Sequence, residues 1–208
     1  MSDDDPDTEA HERFVATARQ VTPDLAEALA GVGPVTLPGR GDQPLGRFLA
    51  RAVVGQQLST AAARTIRERL DAAAAAAGQD LPGFADAVAT EELRACGLSR
   101  NKARALAALA AAERAGALDS AHFAGLDHAA VSARLGAIWG VGQWTCDMAA
   151  IFWCGCGDVW PENDVAVQRT FRALIGHRRS AAKAAARFAP ERSRLAVYMW
   201  RITDAVPD

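Results

Sequence analysis

The chain has 208 residues, a formal net charge of −2 and a composition that is 50% apolar. This length suits one compact unit or two small lobes, and the composition is ordinary for a globular protein. No run of about 18 apolar residues is present, which excludes a membrane-spanning helix. The acidic first residues lack the basic and apolar segments of a signal peptide, so we expect a cytoplasmic protein.

Helical periodicity and capping residues are found along most of the chain. Residues 1 to about 9 are charged and poor in apolar residues, and they are predicted to be a disordered acidic tail. Residues 31–44 are dense in Gly and Pro and are predicted to be a loop that crosses between two lobes. Thr22, Ser59, Ser99 and Asp127 stand where helix N-caps are expected. The predicted helices cover residues 12–30 with a restart at Thr22, 44–54, 59–77, 84–88, 90–95, 100–114, 127–138, 143–153, 164–175, 181–189 and 191–201.

No segment alternates between apolar and polar residues as a half-buried strand does. The sequence therefore predicts an all-α fold of about ten short helices. Basic residues are concentrated in its last part, because residues 164–208 contain nine Lys and Arg against four acids. Such a run is typical of a solvated helix face, and an anionic partner is the alternative.

The cysteines and histidines are not spaced as a metal site or a nucleophilic pair. One residue between Cys154 and Cys156 is too few for a zinc knuckle, and free thiols are expected. His122, His128 and His177 have no partner recognisable by spacing and are predicted to lie at the surface. We therefore predict no metal site. The four cysteines are Cys96, Cys146, Cys154 and Cys156.

Two glycines, Gly140 and Gly142, separate the predicted helices 127–138 and 143–153. Glycine can adopt positive φ and leaves no Cβ in the way of a ligand. The unpaired N–H groups that open the second helix would then bind an anion such as phosphate, with Val141 packed inward. An ordinary corner between two helices also needs glycine, so the motif alone leaves both interpretations open.

Asp164 opens the predicted helix 164–175. An N-cap carboxylate there would stabilise the helix by about 1 kcal/mol, and this role alone could explain the residue. A carboxylate in a cleft could instead stabilise a cationic sugar or orient a water. Cleavage of a glycosyl bond needs both, because its transition state resembles an oxocarbenium ion.

The motifs taken in order resemble the helix–hairpin–helix DNA glycosylases of the HhH-GPD superfamily. Gly140-Val-Gly-Gln-Trp-Thr145, the Gly- and Pro-containing residues 155–161, and Asp164-Val-Ala-Val-Gln-Arg169 resemble the hairpin, the following loop and the catalytic Asp. Residues 53–59, 97–102 and 190–201 resemble the loop that faces the flipped nucleotide, the turn after it and the closing helix. The match runs from about residue 45 to 202, and the closest subgroup is 3-methyladenine DNA glycosylase II.

The resemblance implies a two-lobed all-α fold with the active site in the cleft between the lobes. Residues 46–148 would form a helical barrel lobe that ends in the helix–hairpin–helix. Residues 10–45 and 149–208 would form the second lobe, which carries Asp164. The tail of residues 1–9 would precede them.

The same resemblance implies the site residues. Asp164 would be catalytic, and Trp144 and Trp160 would line the base pocket. The gap left by the flipped base would be filled, or its unpaired partner contacted, by Val54, Gln56 and Gln57. Hydrogen bonding at a helix junction is the alternative role for the two glutamines. The hairpin residues that would grip phosphate are Gly140, Val141, Gly142 and Thr145.

Trp144 narrows the chemistry that the resemblance implies. Family members that also cleave the strand carry a Lys at this place, which attacks the sugar and forms a Schiff base. This chain has Trp there, so we predict a monofunctional glycosylase without lyase activity. An aromatic wall suits an alkylated purine, which is cationic and attracted to a π face. Core packing is the alternative role for Trp144.

The expected partner is double-stranded DNA with a damaged base, bound by a monomer that is nucleoid-associated in a bacterium and has no membrane contact. No cofactor is expected, although the family's hairpin can hold a monovalent cation through backbone carbonyls. Excision of uracil, a mismatched base or an oxidised base is the alternative among enzymes. A non-catalytic DNA-binding protein and an alanine-rich interaction protein are the alternatives outside catalysis.

Overall fold

The computed structural model describes residues 6–37, 43–58 and 60–203. Over these ranges the chain forms α-helices, with short 3-10 and π-helical turns and no β-strand, which confirms the all-α prediction. None of these helices has the length and apolar character that crossing a membrane requires. The helices are α1 Pro6–Arg19, α2 Pro23–Val32, α3 Leu45–Gly55, α4 Thr60–Ala76, α5 Leu81–Ala87, α6 Thr90–Ala95, α7 Arg100–Arg114, α8 His128–Leu135, α9 Gln143–Met148, α10 Val165–Ile175, α11 Ala181–Ala185 and α12 Arg192–Ile202.

The chain divides into two compact units. The first contains residues 6–37 and 156–203, and the second contains residues 43–58 and 60–155. The second unit therefore extends beyond the predicted boundaries at 46 and 148. Trp153 explains the extension, because its Nε1 donates to the Gln43 carbonyl at 2.8 Å and its ring meets the Phe123 ring edge-on at 6.1 Å. A π-helical turn, Ala149–Trp153, carries α9 on to this buried indole.

The first unit joins both ends of the chain. Thr22 caps α2 as predicted, since its hydroxyl accepts from Leu25 N at 3.1 Å, and it also donates to the Leu174 carbonyl of α10. The predicted disordered tail is wrong for residues 6–9, which belong to α1. They are ordered because Asp7 accepts a hydrogen bond from Arg194 of α12 at 2.9 Å. Residues 1–5 of the predicted tail lie outside the described residues.

The second unit is built around α3 and α7. The apolar face predicted for α3 is buried, including Leu45, Leu49 and Val53. Ser99 and Asp127 cap α7 and α8 as predicted, and the Ser59 cap lies outside the described residues. The predicted loop before residue 84 is wrong at its end, because Asp80 caps α5 and starts that helix at Leu81.

Candidate functional site

The hairpin between α8 and α9 contains one glycine that the fold itself requires. Gly140 has φ of +87°, and a Cβ built on it would lie 2.4 Å from the Ala105 Cβ of α7. Val141 is buried, as predicted. Its N–H donates to the Ile138 carbonyl at 3.1 Å, so this amide is already used within the turn, and a Val141 contact with DNA stays a prediction.

Gly142 differs from Gly140 because the fold does not require a glycine there. It has φ of −90°, and no atom lies within 4 Å of a Cβ built on it. In the part of the chain that the structure describes, the N–H groups of Gly142 and Gln143 have no hydrogen-bond acceptor. These two donors open α9 and are suited to an anion. Gln143 was not identified from sequence, although it directly follows the glycine.

Thr145 supports the hairpin from inside. Its side chain is fully buried, and its Oγ1 accepts from Gln56 Nε2 at 2.8 Å. This arrangement does not favour contact of the Thr145 hydroxyl with phosphate, and that contact stays a prediction. The Gln56 amide also lies 3.4 Å from the Gly140 carbonyl oxygen. Gln56 thus takes the alternative role of joining the end of α3 to the hairpin.

Lys102 fixes the same end of α3 from the other side. Its Nζ donates to the Val54 carbonyl at 2.7 Å and to the Gln56 carbonyl at 2.6 Å. Burial lowers the pKa of Lys102. The Val54 side chain is fully buried, which does not favour its filling a gap in DNA, and that role stays a prediction. The sequence indicated a helix start at Lys102, but this contact joins residues 48 positions apart.

Gln57 and Leu58 follow the end of α3 and are exposed. Gln57 has φ of +54°, a conformation that costs a non-glycine residue roughly 1 kcal/mol or more. Leu58 is 38% exposed. Gln57 can therefore reach a partner, as its predicted role requires. Leu58 was missed, although an apolar residue in a polar loop was a signal.

His128 is not the unpaired surface residue that spacing predicted. Its Nε2 lies 2.7 Å from Oδ1 of Asp147, whose side chain is 3% exposed. The Gln143 Nε2 donates to the same oxygen at 2.8 Å. The hairpin brings positions 128 and 147 together by folding α9 back on α8, which no spacing rule reveals. This cluster orients the residue that opens α9.

Asp164 lies in the first unit and caps α10 as predicted. Its Oδ1 accepts from Val167 N at 2.8 Å, and the residue is 6% exposed. Val165, which follows it, is 78% exposed. A buried carboxylate is thus held at the start of α10 in the first unit.

The loop before Asp164 is held by the start of α12. The buried Ser193 donates through Oγ to the Cys156 carbonyl at 2.6 Å and accepts from Val159 N at 3.0 Å. The neighbouring Arg192 pairs with Asp158 through contacts of 2.6 and 2.9 Å. Neither role was predicted. The basic excess after residue 164 is thus partly used inside the unit.

The two predicted pocket tryptophans lie in different units. Trp160 is 8% exposed and meets the Phe171 ring edge-on at 5.0 Å in the first unit. It lines a cavity of about 470 Å³ with Gln168, Arg172 and other polar residues. Trp144 is half-buried near the start of α9 in the second unit. Their joint role in one pocket remains a prediction.

Known proteins share both the motifs and the fold. Residues 50–192 match the model of the HhH-GPD superfamily base excision DNA repair proteins. The chain is 31% identical to DNA-3-methyladenine glycosylase 1 of Schizosaccharomyces pombe over 159 residues, which cover 74% of this chain and 70% of that protein. It is 30% identical to a probable bifunctional transcriptional activator/DNA repair enzyme AlkA of Mycobacterium tuberculosis, with 93% of this chain and 40% of that protein covered.

A solved structure of a related protein has the same fold. The 3-methyladenine DNA glycosylase of Schizosaccharomyces pombe in complex with abasic DNA superposes with a TM-score of 0.77 at 28% identity. The superposition covers 93% of this chain and 95% of that one. The family match spans more than half of the sequence, including the hairpin and Asp164. The chain therefore belongs to the HhH-GPD superfamily of base excision DNA repair proteins.

Proposed function

We propose that the protein is a monofunctional DNA glycosylase that releases alkylated purines of the 3-methyladenine type from double-stranded DNA. The observation that carries the proposal is Asp164, a nearly buried carboxylate held at the start of α10. It follows a hairpin whose N–H groups at Gly142 and Gln143 are suited to phosphate. The relatives named as 3-methyladenine glycosylases support this substrate class.

In the proposed mechanism the hairpin holds the DNA backbone while the damaged nucleotide leaves the base stack. Gln57 fills the gap, because its side chain is exposed and its backbone is held by the residues around it. The Asp164 carboxylate stabilises the positive charge that develops on the sugar, and water completes the hydrolysis. Trp144 offers a π face to the cationic base.

The absence of lyase chemistry is part of the proposal. A lyase needs an amine that attacks the sugar. The sequence contains two lysines, Lys102 and Lys183. The Lys102 amine donates to two carbonyl oxygens at the end of α3, and Lys183 follows the cap of α11. Trp144, at the position of the lyase lysine, offers no nucleophile.

The first experiment measures release of free base from a duplex that contains 3-methyladenine. Wild-type protein is expected to release the base, and Asp164→Asn to lose at least about a hundredfold in rate with DNA affinity nearly intact. The asparagine oxygen can still accept from Val167 N, so the helix cap is preserved. Glu162→Gln, a change at an exposed carboxylate of the same loop, is the matched control. Full activity in Asp164→Asn would remove Asp164 from the mechanism.

The same protein samples test lesion preference, lyase activity and oligomeric state. Duplexes with uracil, a mismatch or an oxidised base measure lesion preference, and faster release from any of them would replace the proposed substrate. Borohydride trapping of a covalent protein–DNA species would contradict the monofunctional assignment. DNA binding without release from any duplex would leave the non-catalytic alternative. Light scattering of the protein with and without DNA tests the proposed monomer.

A further inference from the structure

Exposed apolar side chains adjoin the residues of the proposed function. Among the residues that the structure describes, the large apolar side chains with high exposure are Leu58, Trp139 and Val165. Leu58 follows Gln57, Trp139 precedes Gly140 and Val165 follows Asp164. Apolar surface left in water commonly marks a contact with a partner. Trp139, which is 41% exposed, has no role in the mechanism described so far.

The guanidinium group of Arg104 stacks on the ring of Trp139. The Cζ atom of Arg104 lies 4.1 Å from the centroid of the indole. Arg104 is itself exposed and forms no ion pair with a carboxylate in the described ranges. Stacking on a ring restrains the guanidinium plane and leaves its N–H groups available at the edges. The pair is thus a preorganised hydrogen-bond donor that has no ion-pair partner among the described residues.

Packing of α7 against the hairpin places Arg104 beside it. Ala105, the residue after Arg104, is the one that a Cβ on Gly140 would strike. Helix α7 therefore lies directly against the hairpin, and Trp139 and Arg104 belong to the two surfaces that meet there. The N–H groups of Gly142 and Gln143 are close by in the chain. The occupant that fits a row of such donors is a polyanion with regularly spaced charges.

We propose that Arg104, stacked on Trp139, binds a DNA phosphate next to the one held by the hairpin amides. The inference rests on the proposed function, since it takes DNA as the partner. Guanidinium groups bind phosphate through two parallel hydrogen bonds, which suits a donor whose plane is already fixed. Helix α7 would thereby extend the backbone contact beyond the hairpin.

The experiment measures the affinity for a duplex with a stable abasic-site analogue over a series of salt concentrations. For Arg104→Gln we expect affinity to fall about tenfold at low salt, a loss typical of one charged hydrogen bond. The slope of log affinity against log salt should become shallower by about 0.9, as for one lost phosphate contact. Arg114→Gln is the matched control, because Arg114 lies at the other end of α7 and pairs with Asp86. An unchanged slope in Arg104→Gln would overturn the proposal.

Trp139 variants test the role of the stacking. Trp139→Ala is expected to weaken binding, and the double variant with Arg104→Gln to lose no more than Arg104→Gln alone, because both remove one contact. Trp139→Phe keeps an aromatic face and should retain most of the affinity. Additive losses in the double variant would overturn the coupling of the two residues. If the wild type neither binds DNA nor releases a base, the proposed function has failed; if it does both while the slope of Arg104→Gln is unchanged, only this inference has failed.

Discussion

Lys102 is the residue on which the geometry of the exposed Gln57 and Leu58 depends most directly. Its ammonium group binds the carbonyl oxygens of Val54 and Gln56, at the point where α3 ends and Gln57 takes positive φ. A cation at the carboxyl end of a helix is also favoured by the helix dipole. Partial burial lowers the pKa of Lys102.

Replacing Lys102 by Met should therefore leave two carbonyl groups without their donor. We expect a loss of roughly 2 to 4 kcal/mol in the free energy of unfolding, given the usual strength of hydrogen bonds to charged groups. Arg100→Met, at an exposed position in the first turn of the same helix, should change it by less than about 0.5 kcal/mol. Urea denaturation of the two variants checks this. Equal stability would mean that Lys102 does not hold the end of α3.

At the residue scale, Cys146 also predicts how the stability of the protein depends on pH. Burial and the neighbouring Asp147 carboxylate raise the pKa of the Cys146 thiol to about 11. An unfolded thiol ionises near pH 8.5. Because the folded pKa is the higher one, the contribution of Cys146 to stability is complete below about pH 8.5 and is lost as the pH rises towards about 11.

Cys146→Ala should therefore lose less stability than the wild type between those pH values. Cys96→Ala is the matched control and should follow the wild type, because Cys96 is only half-buried. Chemical denaturation at a series of pH values measures the difference. Alkylation at pH 8 is a second readout, in which native protein should protect Cys146. Rapid labelling of Cys146 in folded protein would contradict both expectations.

At the scale of elements, the hairpin contains one glycine that the fold requires and one that it does not. Gly140 meets Ala105 of α7 and has positive φ, whereas Gly142 has an ordinary φ and open space around it. Gly140→Ala should cost roughly 2 to 5 kcal/mol, from backbone strain and overpacking together. Gly142→Ala should leave the free energy of unfolding nearly unchanged and weaken DNA binding, because a methyl group would stand in the path of the phosphate.

A second substitution separates the two contributions at Gly140. Ala105→Gly combined with Gly140→Ala removes the closest contact of the new Cβ and leaves the backbone strain and the tighter-than-usual approach to the Cα of residue 105, 3.2 Å away. The double variant should therefore recover part of the stability lost in Gly140→Ala. Thermal unfolding together with a DNA-binding titration covers the whole set. A stable Gly140→Ala, or an unchanged affinity in Gly142→Ala, would reverse the assignments of the two glycines.

At the scale of the whole molecule, Arg194 ties the first unit together. It is 7% exposed and contacts Asp7 at 2.9 Å, the Val35 carbonyl and Glu191 at 3.5 Å. These partners come from both ends of the chain. Long-range contacts of this kind decide whether α1 stays attached to the C-terminal helices.

Arg194→Met should lower the free energy of unfolding by about 2 to 3 kcal/mol. The estimate is below the usual cost of breaking a fully buried pair, because Asp7 is partly exposed and can regain water. Arg201→Met, at an exposed position of the same helix, is the matched control and should be nearly neutral. The measurement is the melting temperature of each variant. Equal melting temperatures would mean that Arg194 does not join the two chain ends.

The sequence by itself determined most of the helices, several of their caps and the family. These features are local, because a cap such as Ser99 or Asp164 and the apolar face of α3 depend on residues within a few turns. The positions of the hairpin and of Asp164 could be predicted for the same reason, since both are continuous motifs. The burial of Val54 could not be predicted, because periodicity marks an apolar residue without telling whether its surface is covered.

Tertiary structure alone decided which groups can meet a partner and which are used to support them. Thr145 and Gln56 were predicted to face DNA and instead bond to each other, and His128 acquired a buried carboxylate as its partner. Lys102, Ser193 and the Arg104–Trp139 pair owe their positions to contacts between helices distant in sequence. Such contacts depend on how helices pack, and packing is a property of the folded chain that no short motif contains.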